Sequence, residues 1–589
     1  MAISIRDVED VLQARSLTNP SLDALNPNDQ SYRALLLQPA GPILADNTRI
    51  GPLDLAFADK QAMKFLQLAT AKGHQLVVTP EYYLPIKSLL ACVQGATFPA
   101  VGALWVLGCE SMTPEQLEKF KVDCSGYCDV IFENETAAAV QGIYYDPVAY
   151  CFVTKDNGGA DRRVVLLQFK TISSRDQHFF ENKNLRCGNV VYQFKGAGDE
   201  LALSTIICSD AFNVAADEKV RSKLTRFATL IHVQLNPKPR HTDYLRYRLD
   251  TFSKNKDLNN CDIVCLNWSE NMIQYDAPDG NHEAWKNESG SAWYISDHRC
   301  SSNDDEVENN ERLGLYYSRH VKHRHVLHFH FSAAAFELTV AKVAQVGSYL
   351  HDNNLGPKLD ARYTWDGEHQ EWRSNAECPD PGLSNLLTLT PHVEVGLTSL
   401  KALESRLRVE RAITLSCGLA KSKVNWFRAG ELDGCKLGED EIVRRATLCL
   451  DRDISARHAR EHRVKRVAAL DTILRTQKLP RQIRDLTGGG TQVMWHANSP
   501  HTNVVKDGSQ PALVAYLGMD PSSDTVRNVC DAAFELLRLE NNDNHKHRIA
   551  VCYHTMDETG APQLEFANIR QLTDITHGGG SATSITEGL

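Results

Sequence analysis

Glu81, Lys170 and Cys208 each stand where an apolar run of strand-forming residues stops. HQLVVTPE ends on the glutamate, RRVVLLQFK on the lysine, and LSTIICSDAF turns at the cysteine. A thiol with an ordinary pKa near ~8.5 is mostly protonated at neutral pH, so a nucleophilic cysteine needs a base and a positive group beside it. Glu81 is the candidate base. Lys170 is the candidate cation, able to hold a developing oxyanion and to keep thiolate and carboxylate in one site. Taken singly, a cysteine after two isoleucines is a small buried hydrophobe, and an acid or lysine at a strand end is a solvated terminus. Three such ends in one chain, offering base, cation and nucleophile in that order, point to a catalytic cysteine.

With its flanks, TPEYYLP around Glu81, FKTIS around Lys170 and ICSDAF around Cys208, this order resembles the nitrilase superfamily, the carbon–nitrogen hydrolases. The resemblance covers about residues 31–340. It implies an α/β fold, a four-layer α-β-β-α sandwich in which two sheets pack face to face beneath outer helices. It also implies the chemistry. Glu81 deprotonates Cys208, the thiolate attacks an amide or nitrile carbon, and a thioester or thioimidate forms with release of ammonia or an amine. Water activated by Glu81 then hydrolyses the intermediate. Lys170 and the backbone N–H of Ser209 would hold the oxyanion, with no cofactor and no metal. A second glutamate is expected downstream of the lysine. Glu181 in DQHFFENK is the candidate, at a longer interval than the family pattern, with Asp176 as a competing acid. CSDAFN keeps the aspartate two positions after the cysteine but lacks the family's arginine-containing continuation, so a substrate pocket of unusual shape is expected. Tyr82, Tyr83, Phe179, Phe180 and Phe212 are candidate pocket liners, although aromatics beside a core strand also serve plain packing. A small-molecule amide or nitrile substrate and a homo-oligomer follow from the resemblance.

Around these residues the chain has 589 residues, enough for two to four domains with their own cores. Its 42% hydrophobic, 8% aromatic and 23% charged residues describe a globular protein. MAISIRDVEDVLQ carries acids where a signal peptide carries bases, and no apolar run is long enough to cross a bilayer. A cytoplasmic protein without a membrane partner is the expectation. Sixteen scattered cysteines fit reduced thiols, and a formal charge of -10 excludes a chain that is basic overall.

Residues 1–30, with the Asn/Pro-rich piece LTNPSLDALNPNDQ, read as an extension, and the domain proper opens with the strand YRALLLQ at 32–38. A helical pattern over 52–72 ends at Gly73, a C-cap position, and leads into the strand to Glu81. IYYDPVAYCFVTKDNGG reads as a hairpin closed by Asp156-Asn157-Gly158, whose return strand reaches Lys170. A helix over 217–227, the strands TLIHVQLN and DIVCLN, and SGSAWYIS with a His-rich strand pair at 315–331 complete the unit. In that pair alternation sets His323 with His325 and His328 with His330, an ordinary amphipathic pattern rather than a metal site.

Residues 341–385 read as a polar boundary, and 386–589 as a C-terminal α+β module of no recognised family. Its longest helix is expected over 439–477, where an apolar stripe is flanked by Arg444, Arg445, Arg452, Arg457, Arg460, Arg463, Lys465 and Arg466. A solvated face is the first reading of that charge; a nucleic-acid or phosphate surface is the second. His458, Glu461 and His462 match HxxEH by chance within this basic run. The rival to a hydrolase is therefore a nitrilase-fold scaffold whose basic C-terminal half binds nucleic acid or a protein partner.

Overall fold

The computed structural model describes residues 3–27, 31–132, 142–174, 180–196, 201–226, 228–237, 244, 246–248, 251, 261–270, 272–278, 280–285, 291–296, 304–321, 324–342, 357–378, 384, 406–419, 445–447, 454–487, 492–493, 501–538 and 547–568. The chain divides into one unit of residues 1–301 and 309–378, and another of 302–308 and 379–589.

The first unit is built on two large sheets, with a smaller four-stranded sheet of His282–Ala284, Ile273–Tyr275, Pro42–Ala45 and Ile50–Pro52. From edge to edge the nine-stranded sheet runs Glu371–Asn375, Lys358–Asp366, Ala334–Ala341, Ser31–Gln38, Leu76–Leu84, Leu104–Cys109, Pro147–Lys155, Asp161–Phe169 and Asp129–Phe132. The eight-stranded sheet runs Ser4–Asp7, Val190–Lys195, Ala202–Ile207, Ala228–Val233, Cys261–Leu266, Ala292–Ser296, Arg324–Phe329 and Leu315–Val321. The middle strands are buried along their whole length, as continuous Val/Ile/Leu runs demand when both faces are covered. Rings and a side-chain amide are among the contacts between the two large sheets. Tyr150 packs on Phe194 at 5.1 Å, and Gln168 of one sheet donates to the Thr205 carbonyl of the other at 2.8 Å and accepts from the Tyr192 amide at 2.9 Å.

Outside the nine-stranded sheet lies the helix Leu55–Lys72. Asp54 caps it by accepting from the Phe57 amide at 2.9 Å, and Gly73 ends it at φ 64°, as its sequence pattern anticipates. Ala58, Ala62, Phe65, Leu66 and Ala69 recur on one face and are buried there together with Gln61. Asp210–Ala216 and Glu218–Thr225 pack on the other sheet, with Asp217 capping the second through the Lys219 and Val220 amides.

Three expectations change. Residues 1–30 are more than an extension, because Ser4–Asp7 pairs in parallel with Val190–Lys195. The polar stretch 341–385 contains a hairpin, Lys358–Asp366 with Glu371–Asn375, that extends the nine-stranded sheet beyond 340. Glu337 fixes it there. That buried carboxylate receives Arg33, Lys72 and the Tyr363 hydroxyl, joining the hairpin to a central strand and to a helix end; against its burial, His74, Tyr363, Lys72 and Arg33 hold it well below the usual carboxylate range. Finally, the strand of Glu81 does not stop there but continues to Leu84.

In the second unit Leu513–Met519 pairs in parallel with Ile549–Met556, which pairs antiparallel with Pro562–Phe566, and the helix Ser523–Arg538 lies between the parallel strands in sequence. Within the expected helix 439–477, the described helix is Ile454–Thr476; residues 439–444 and 448–453 lie outside the described residues. Its charge does not form one solvated face. Arg460 and Arg463 are buried, Arg463 donates to the Thr414 hydroxyl at 2.9 Å, and Arg457 and Arg475 pair with Glu461 and Asp471. Among the described residues no helix is long and apolar enough to cross a membrane.

Candidate active site

Three features of the strands converge on one end of the two sheets. Ala202–Ile207, Ala228–Val233 and Cys261–Leu266 are parallel, so the residues that follow them, Cys208, Gln234 and Asn267, lie side by side at their carboxyl ends. Lys170 follows the carboxyl end of Asp161–Phe169. Glu81 lies within a bulge. The ladder between its strand and Leu104–Cys109 pairs Thr79 with Leu107 and then Leu84 with Cys109, so four residues on one side face one on the other. Tyr82 takes φ 59° in this bulge, and Trp268 donates its indole N–H to the Glu81 carbonyl at 2.8 Å. Gly108 makes the bulge feasible, since a Cβ there would lie 2.1 Å from the Pro80 carbonyl oxygen.

Lys170 is the hub. Its Nζ lies 2.7 Å from Glu81 Oε1, 2.6 Å from Glu181 Oε1 and 3.8 Å from Asp146 Oδ2, and all four side chains are buried. Glu81 also accepts from the Leu235 amide through Oε2, and Glu181 accepts from the Tyr82 hydroxyl at 2.9 Å. Oxygens of Glu81, Asp146 and Glu181 all fall within 4.8 Å of one another. That is a donor set a divalent cation would use, but here the ammonium of Lys170 stands against all three and supplies the positive charge. Burial opposes charge on Lys170, yet Glu181 and Glu81 outweigh it and hold the lysine well above its ordinary value. Burial raises Glu81, partly opposed by Lys170.

Cys208 occupies a sharp turn between a strand and the helix Asp210–Ala216, with φ 39°, a conformation that costs a non-glycine residue on the order of 1–3 kcal/mol. The turn is tied at both ends. The Cys208 amide donates to the Val233 carbonyl at 2.9 Å, and its carbonyl accepts from His232 Nε2 at 2.9 Å. Gln234 lies 2.9 Å from His232 Nδ1, and an amide N–H pointing there fixes the tautomer in which Nε2 carries the hydrogen. Burial depresses His232 to about 3, so it is a neutral strut and not a base at neutral pH. Asp210 holds the turn from below, accepting from the Thr171 amide at 2.8 Å, the Thr171 hydroxyl at 2.7 Å and the Ile207 amide at 3.0 Å. It thereby ties the residue after Lys170 to the residue before Cys208. The Cys208 thiol is held well above its ordinary value, first by burial and then by Glu81; Lys170 and a 3.3 Å contact with the Tyr244 hydroxyl pull the other way.

Of the residues expected from sequence, Glu81, Lys170 and Glu181 make direct contact, and the Cys208 thiol lies within electrostatic reach of all three. Ser209 follows Cys208, its hydroxyl donating to the Ile172 carbonyl at 2.7 Å. Tyr82 reaches the cluster through Glu181. Phe212 packs on Tyr244 at 4.9 Å, and so stands next to the ring that meets the thiol. Phe180 precedes Glu181 at φ 54° and is half-buried against the core. Tyr83 is buried against Trp268 at 5.5 Å, a packing position. Asp176 and Phe179 lie outside the described residues. Sequence reasoning passed over Asp146, His232, Trp268 and Tyr244.

No family model matches the chain, and no curated protein matches it. Solved structures similar to it include members of the nitrilase superfamily. A glutamine-dependent NAD+ synthetase from Acinetobacter baumannii is 11% identical over 70% of this chain and 58% of its own, with a TM-score of 0.30. An amidase from Nesterenkonia sp. is 14% identical over 41% of this chain and 78% of its own, at 0.24. Nit3 of Saccharomyces cerevisiae, of branch 10 of the nitrilase superfamily, is 12% identical over 45% of this chain and 89% of its own, at 0.23. The chain thus spans little more than half the length of the synthetase, and the functional reading rests on the geometry of the site.

Proposed function

We propose that the first unit is a four-layer α-β-β-α sandwich of the nitrilase type that hydrolyses a non-peptide carbon–nitrogen bond, in an amide or a nitrile, through a covalent Cys208 intermediate. The observation that carries this reading is the buried ammonium of Lys170 held at 2.7 and 2.6 Å by Glu81 and Glu181, beside a cysteine at a strained strand end. Glu81 takes the thiol proton as sulfur attacks the substrate carbon. Burial raises Glu81, partly against Lys170, and makes it a stronger base than an exposed glutamate. Two of the three N–H groups of Lys170 are engaged by carboxylates, which leaves the third for the oxyanion, with the Ser209 amide as its companion. For an amide, the tetrahedral adduct collapses as the protonated Glu81 returns its proton to the leaving nitrogen, giving ammonia or an amine and a thioester. Water then loses a proton to Glu81 and attacks the thioester, releasing a carboxylic acid and the thiol. Tyr82, Phe180 and Phe212 are the proposed pocket walls. Ammonia release from a panel of small amides and nitriles, compared between the native protein and Cys208→Ala, tests the proposal: turnover lost in the alanine variant supports it, and turnover that survives the substitution rejects it.

A further inference from the structure

The three buried carboxyls around Lys170 are not equally provided for. Glu81 receives Lys170 and the Leu235 amide; Glu181 receives Lys170, the Tyr82 hydroxyl and the Ser174 amide. Asp146 is completely buried, stands 3.8 Å from the ammonium, and among the described residues neither of its oxygens accepts a hydrogen bond. Three carboxylates around one ammonium would leave two uncompensated negative charges in a dry site, so the least supported acid keeps its proton. We propose that Asp146 is the protonated member of this cluster and donates that proton in a carboxyl–carboxyl hydrogen bond to Glu81, as a positioning residue for the base.

Its placement follows from the hairpin. Pro147 pairs with Phe169, so Asp146 stands opposite Lys170 and accepts the Lys170 amide on its backbone carbonyl at 3.0 Å. A neutral Asp146 leaves the cluster with one net negative charge, counted as Lys170 positive and Glu81 and Glu181 negative. An ionised Asp146 would double that charge beside the thiol that must become an anion. The groups facing Asp146 are Glu81, Lys170, Glu181, Tyr82, Tyr144 and Cys109. The two tyrosines and Cys109 are held neutral by burial, and burial with Glu81 likewise keeps Asp146 protonated.

This inference deepens the hydrolase reading, but its test does not depend on turnover. The infrared spectrum of the intact protein at neutral pH, native minus Asp146→Asn, should contain a carboxylic-acid carbonyl band. A second comparison uses alkylation of Cys208 by iodoacetamide. Asp146→Ala, which lacks the donor and so no longer holds the Glu81 carboxylate in place against the thiol, should slow it about tenfold or more. Asp146→Asn, whose amide can donate to Glu81, should recover most of that loss. A difference spectrum without the band, or an asparagine variant as impaired as the alanine one, would overturn the proposal. Absence of ammonia release from every substrate would count against the hydrolase reading and leave the infrared result standing.

Discussion

Replacing Lys170 with methionine removes the cation that three buried carboxyls face while keeping a side chain of similar length. At 2.7 and 2.6 Å each contact is worth about 6 kcal/mol at an effective dielectric near ~20. Desolvation of the ions offsets most of that, and removing one partner of a buried ion pair costs on the order of 3–5 kcal/mol net. Local hydrogen exchange suits a chain of two units, because it reads the opening free energy of one strand at a time. In Lys170→Met, amides of Leu76–Leu84 and Asp161–Phe169 should exchange roughly a hundredfold to several thousandfold faster at neutral pH. The folded pKa of Lys170 lies above its unfolded value, so its stabilisation is present in full below about 10.5 and is lost only above that. The variant's deficit should also shrink as pH falls, because burial raises Glu81 and it takes up a proton more readily than an exposed glutamate, and the double change Lys170→Met with Glu181→Gln should recover part of it. Native-like exchange in Lys170→Met at neutral pH, or a double variant less protected than the single one, would refute the electrostatic argument.

Two other substitutions probe the scaffold around the site. Asp210→Asn offers one acceptor oxygen to three donors, so it should cost about 1–3 kcal/mol, read as faster exchange of Ala202–Ile207. Burial raises Asp210 to about 6 from 3.8, so its contribution is full below pH 3.8 and is lost as pH rises through 6; the variant should lack that change of about 3 kcal/mol. Gly108→Ala brings a Cβ within 2.1 Å of the Pro80 carbonyl oxygen and 2.9 Å of Glu81 Cα, and should slow Cys208 alkylation by displacing the base while circular dichroism stays native.

The placement of Glu81, Lys170 and Cys208 was legible in the sequence because each ends or interrupts an apolar run, and those runs are strands of the two large sheets. Asp146 was missed, yet the signal was present. Counting back from the Asp156-Asn157-Gly158 turn in a regular antiparallel hairpin sets Asp146 opposite Lys170. Glu81 looked like a strand terminus because a charge usually leaves a core; its charge stays inside because Lys170 meets it there. The hairpin over 358–375 was hidden by its polar composition, although Leu359, Ala361, Tyr363 and Trp365 alternate and Asp366-Gly367 marks the turn. Composition could not reveal that Arg463 is buried, because Thr414 and Glu410, which it contacts, lie some fifty residues away in sequence. Contacts of that range are fixed by the fold rather than by any local pattern.

The central claim is that Glu81 activates Cys208. Intact-mass kinetics with iodoacetamide, a small amide carrying an electrophilic carbon, tests it with the native protein, Cys208→Ala and Glu81→Gln side by side. The described cysteines are all buried except Cys187, which is half-buried and whose thiol burial pushes up to about 11, so it is the competing site to watch. The predicted result is a single adduct on the peptide carrying Cys208, absent from Cys208→Ala and formed at least tenfold more slowly in Glu81→Gln, since loss of a positioned base typically costs about 10²–10⁴-fold. Labelling that falls on Cys187 with Cys208 untouched, or a Glu81→Gln rate equal to the native one, would contradict it.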